Sequence, residues 1–186
     1  MPKFIILVTD KMIHSKTISA EKRELYEYGM WQGLLYVLNI GMVILVSLIL
    51  QMLWQGILFT LAYGVLRIYA GGYHARTQKA CFSLSLLLII SVISILRWIT
   101  FSPVAITLFV IISTGCIFAL APIADSNKPL SNSEYVIYRL RSRVICAIYI
   151  VLIMVALYFG RLELAICLML STATVAFMVI LGKCIE

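Results

Sequence analysis

GMWQGLLYVLNIGMVILVSLILQMLWQGILFTLAYGVLRIYA, Gly29 to Ala70, is almost unbroken apolar sequence, and whether it crosses a bilayer once or twice decides the topology of everything after it. A helix needs about 20 residues to span the hydrocarbon core, so this stretch is long enough for two. Gln51 and Gln55 mark the turn between them. We expect a first span from Trp31 to Leu50 and a second from Leu53 to Tyr69, with Trp31 and Trp54 placed for the interfacial aromatic belt.

Charge tests that division. Further apolar segments predict a third span from near Cys81 to near Trp98, a fourth opened by Pro103 and running to about Leu120, a fifth from Val144 to Phe159 and a sixth from Leu164 to Leu181. With six spans, thirteen of the fifteen Lys and Arg residues fall on one side, leaving only Arg97 and Arg161 on the other. Reading 29–70 as one span splits the charges badly. By the positive-inside rule both termini are then cytoplasmic.

Composition agrees. The chain has 186 residues, 63% of them hydrophobic, and a mean hydropathy of +1.05, too little polar surface for a soluble globule. The expected fold is an all-α integral membrane protein of about six transmembrane helices, one polytopic domain over 1–186 with its membrane region at 29–182. The net charge of +7 is read as topology, not as nucleic-acid binding. Residues 1–28 form a cytoplasmic amphipathic segment. Its apolar run Phe4 to Val8 is too short for a signal peptide and is followed by Asp10 and Lys11. Ser19 is a candidate N-cap, with Glu21 and Glu24 in the first turns and Ile18, Leu25 and Tyr28 spaced along one face. A helix on the membrane surface is the plain reading and a contact for a peptide substrate the sharper one.

The polar island between spans two and three is the candidate site. Arg67 to Cys81 reads RIYAGGYHARTQKAC, basic and glycine-broken between apolar segments. His74 and Cys81 suggest a thiol nucleophile with an imidazole to take its proton. On a continuous helix the two would stand about 10 Å apart along the axis. Gly71 and Gly72 favour a turn instead, from which His74 can fold back over Cys81. A helix starting near Thr77 adds its dipole to the thiolate, and Arg76 and Lys79 add positive charge. The plain alternative is a solvated basic loop beside a small packing cysteine.

The other cysteines read differently. Cys116, Cys146 and Cys167 lie within apolar segments, and Cys184 lies near the polar C-terminus without a nearby histidine. No disulfide framework and no metal-ligand spacing is present. Two histidines, His14 and His74, exclude a three-histidine metal site, and no HExxH, GxSxG or phosphate-binding glycine loop occurs. No cofactor is expected.

Arg67, Gly72, His74, Ala75 and Cys81, set between hydrophobic segments in a chain of this length, resemble the accessory gene regulator B family of membrane cysteine endopeptidases. The loop APIADSNKPL, residues 121–130, is similar to the proline- and lysine-containing loop of that family. The resemblance implies a bacterial cell-membrane enzyme for quorum sensing. Its substrate would be a small precursor peptide with an amphipathic leader and an acidic C-terminal tail. Cys81 would attack the bond before the tail, His74 would move the proton, and an internal cysteine or serine of the peptide would capture the acyl-thioester as a thiolactone or lactone. Dimerisation is expected from the resemblance alone.

Several residues keep two readings. Arg67 binds the oxyanion or the acidic tail, or it snorkels to lipid phosphates. Gly72 permits the turn. Arg139, Arg141 and Arg143 alternate, so a helix would not place all three on one face; they set topology or clamp an acidic tail. Two rival classes stay open, a non-catalytic transporter subunit or scaffold and a membrane thiol acyltransferase.

Overall fold

The computed structural model describes residues 2–15, 17–73, 77–123 and 131–185, with the backbone alone at 78 and 79. Among these the helices are α1 (Lys3–His14), a 3-10 turn (Ala20–Lys22) leading into α2 (Arg23–Ile49), α3 (Leu53–Ala70), α4 (Gln78–Trp98), α5 (Pro103–Leu120), α6 (Asn132–Tyr158) and α7 (Leu162–Ile185). Six of them, all but α1, are long and apolar enough to cross a membrane. The chain divides into two compact units, 1–42 and 43–186.

In the first unit, α1 buries Ile5 and Thr9 while Phe4 and Leu7 stay exposed. Arg23 bridges Asp10 and Glu27, each at 2.8 Å. The helix expected to start at Ser19 does start there, but it does not stop near Tyr28. Its 3-10 turn passes directly into α2, because no proline interrupts 20–49 and glycine alone only weakens a helix. The separate short helix of the N-terminal segment is α1.

The second unit opens on the turn that the glutamines mark. Gln51 adopts φ 55°, Met52 N–H donates to the Ser47 carbonyl at 2.7 Å, and α3 begins at Leu53. Gln55, buried in the first turn of α3, donates to Glu163 of α7 at 3.0 Å.

α7 is the core of this unit. Ala165, Val175 and Val179 are fully buried on it, against Phe59 and Leu66 of α3, Ile106 and Ile117 of α5, and Cys146 and Ile153 of α6. Lipid offers no hydrophobic drive for helices to associate, so packing and polar contacts between helices decide. Ser113 of α5 meets Thr172 of α7 at 3.1 Å, and the Tyr149 hydroxyl of α6 donates to the Ala62 carbonyl of α3 at 3.0 Å. Ser171 of α7 reaches the Phe59 carbonyl. These bonds join α5 to α7, α7 to α3 and α3 to α6.

Hydropathy placed the start of the fifth span at Val144, whereas α6 begins twelve residues earlier, at Asn132. Ser131 accepts from the Glu134 N–H and Glu134 closes the capping box back to Ser131. The three arginines at 139, 141 and 143 are therefore helical residues and not loop residues.

Candidate active site

The site is built where α3 ends. Gly71 and Gly72 both have positive φ, 67° and 118°, a region costly for residues with a Cβ. They turn the chain across two other segments. Gly71 pairs with Ile123 in an isolated bridge, and Ile123 N–H donates to the Ala70 carbonyl at 3.1 Å. Tyr73 N–H then donates to the Met178 carbonyl of α7 at 2.8 Å. A side chain at Gly72 has no room: its Cβ would stand 2.7 Å from the Met178 carbonyl oxygen and against the Arg67 guanidinium.

Arg67 locks this turn from inside. Its Nη1 donates to the Gly71 carbonyl and its Nη2 to the Tyr73 carbonyl. A guanidinium presents several donors in a fixed fork, so one side chain holds two carbonyls. It also sits in the last turn of α3, where a positive charge meets the negative end of the helix dipole. Arg67 is half-buried and committed to backbone carbonyls just beyond the helix.

Beyond the turn, Thr77 caps α4. Its Oγ1 accepts from Ala80 N–H at 3.2 Å, and Cys81 N–H donates to the Thr77 carbonyl at 3.0 Å. Cys81 is half-buried at the end of the first helical turn, where the amide dipoles favour negative charge. One and two turns further along α4, Leu84 and Leu88 line an open apolar groove of about 330 Å³, with Phe177 and Met178 of α7 on its other side.

The remaining sequence candidates divide. His74 and Arg76, and the side chain of Lys79, lie outside the described residues, as does most of the loop 121–130 with Asp125 and Lys128. Arg141 lies over the Tyr69 ring of α3 at 5.3 Å, while Arg143 lies over Phe118 of α5 at 5.5 Å and donates to the Phe118 carbonyl at 3.0 Å. Arg139 is exposed. Arg141 and Arg143 thus turn to different neighbours, and Arg143 satisfies one of the carbonyls left open at the end of α5.

Of the other cysteines, Cys146 and Cys167 are buried, Cys116 is half-buried in α5, and Cys184 is exposed in the last turn of α7. Two structural features had escaped the sequence reading: Thr77 as a side-chain cap and the Met178–Gly182 segment under the turn. Gly182 carried a legible signal, since a glycine in a helix marks a close approach when packing requires it.

The family model described as accessory gene regulator B matches residues 6–181. A curated protein of Clostridium perfringens (strain 13 / Type A), whose name marks it as AgrB-like (AgrB-like protein 2), is 24% identical over 135 residues. That alignment covers 69% of this chain and 63% of the relative's length. No solved structure matches.

Proposed function

The chain belongs to the accessory gene regulator B family, and on that footing we propose that it is a membrane cysteine endopeptidase acting on a small quorum-sensing precursor peptide. The observation that carries the reading is Cys81, a half-buried thiol in the capped first turn of α4, entered from a turn that Arg67 holds by its carbonyls. The substrate binds the bilayer by an amphipathic leader and presents an acidic C-terminal tail at the cytoplasmic edge. Both termini of the enzyme and its site face that side, as the distribution of Lys and Arg favours.

The Cys81 sulfur attacks the carbonyl carbon of the bond before the tail, and His74 accepts the thiol proton. As the C–N bond breaks, His74 returns that proton to the departing amine, and the tail leaves as a new N-terminus. The peptide is now a thioester on Cys81. An internal thiol or hydroxyl of the peptide attacks it, passing its proton to His74, and the Cys81 thiolate leaves as the thiolactone or lactone closes; His74 then returns the proton to Cys81. Closure must outrun hydrolysis, which a site beside lipid with an apolar groove below it assists by limiting water.

The test is co-expression of the chain with a cognate precursor, in wild type, Cys81→Ala, His74→Ala and Cys184→Ala, followed by mass spectrometry of the peptide. Tail release is expected from wild type and Cys184→Ala only, and the mass of the remaining fragment reports ring closure. Equal behaviour of all four, with the protein intact in the membrane, overturns the reading in favour of a transporter or scaffold. Transfer of an acyl group without tail release favours an acyltransferase.

A further inference from the structure

Between Arg67 and α7 the turn that leads into His74 is held on both sides, and one of those supports belongs to no motif in the sequence. Gly182 lies one helical turn after Met178 on α7, directly under the chain at Gly72 and Tyr73. A Cβ added to Gly182 would stand 2.8 Å from Tyr73 N and 3.0 Å from the Gly72 carbonyl carbon. Both are backbone atoms that no rotamer change can move aside. The Tyr73 N–H bond to the Met178 carbonyl, 2.8 Å long, depends on that close approach.

Glycine is otherwise unfavourable there, since alanine is the better helix former. Other helical glycines of this chain, Gly64 and Gly115 among them, have nothing within 4 Å of the point a Cβ would occupy, so alanine fits there without displacement. We infer that Gly182 is a positioning residue: with Arg67 opposite, it seats Tyr73 on α7 and so fixes the residue from which the chain enters His74. The inference rests on the His74–Cys81 reading above. Gly182 touches no substrate atom in this scheme and acts only through the backbone it admits.

The experiment measures two quantities in the full-length protein in membranes. One is tail release from the precursor. The other is the rate of Cys81 alkylation by iodoacetamide at pH 7 divided by its rate at pH 9.5, in a background where the other four cysteines are serine or alanine. The ratio normalises for access and reports how strongly the surroundings activate the thiol near neutrality. For Gly182→Ala we expect tail release to fall at least tenfold and the ratio to fall to that of His74→Ala, while Gly115→Ala matches wild type in both.

A glycine with no bearing on the site predicts wild-type values in both, since alanine is the better helix former. Wild-type release and ratio in Gly182→Ala overturn the inference. If His74→Ala itself leaves the ratio unchanged, the histidine–cysteine pairing fails, and that failure is separate. Should Gly182→Ala not accumulate, Arg67→Lys decides. It keeps the charge but lacks the fork that spans two carbonyls, so it must lower both readouts; wild-type values in it also overturn the inference.

Discussion

Cys81 and Cys184 lie on helices whose ends meet around the same turn, yet their settings are opposite in sign. Cys81 is in the first turn of α4, half-buried, with Thr77 capping the amides beneath it. Cys184 is in the last turn of α7 and exposed, where unpaired carbonyls oppose a thiolate. Accessibility alone would choose Cys184. Helix polarity and the neighbouring polar turn favour Cys81 as the proposed nucleophile.

The comparison breaks most sharply on substitution. Cys81→Ala is expected to lower tail release by more than about a thousandfold, the scale on which loss of a covalent nucleophile is felt, whereas Cys184→Ala stays within about twofold; mass spectrometry of the released tail decides. Inverted results would assign the chemistry to the wrong end of the wrong helix. His74→Ala comes next, at about a hundred- to ten-thousandfold, the usual contribution of a proton-transfer group, read by the same assay.

Smaller effects sharpen the contrast. In wild type, iodoacetamide at pH 7 should modify Cys81 at least about tenfold faster than Cys184, a preference that disappears in His74→Ala. The smallest expected change follows Thr77→Ala. Losing that cap costs about 1 kcal/mol at the start of α4, and alkylation of Cys81 should slow by no more than about fivefold while Cys184 is unaffected. Peptide mapping after timed labelling measures both.

Much of the fold was legible because membrane spans obey length and charge rules that need no tertiary information. Leu53 and the bounds Pro103–Leu120 coincide with the helices found, and Gln51 stands in the turn that separates α2 from α3. The misreading at α6 has a definite cause. Hydropathy sees where a helix enters lipid, at Val144, but helices start where their amides are capped, and the box of Ser131 with Glu134 spelled out a start at Asn132. The same holds at Ala20, where the absence of a breaker, and not a change in polarity, governs the continuation into α2.

The site was legible only in part. The types at Cys81 and the start of α4 near Thr77 could be read from local sequence. The role of Arg67 could not, because its acceptors become reachable only after Gly71 and Gly72 have turned the backbone through positive φ. Arg141 and Arg143 share that difficulty: a two-residue spacing says that they diverge, but not that one finds Tyr69 and the other Phe118. Long-range partners such as Met178 leave no trace at all in a sequence window around Tyr73.

The bond from Tyr73 to Met178 also sets a schedule. The two residues are separated by roughly a hundred positions, which a ribosome adding about 5–20 residues per second covers in about 5–20 s. Through that interval the turn has Arg67 but not its helical seat, so a nascent chain carries its thiol before it carries the support for it. On the proposed endopeptidase reading, a chain cut short before α7 lacks the seat for Tyr73 and is expected to release no tail.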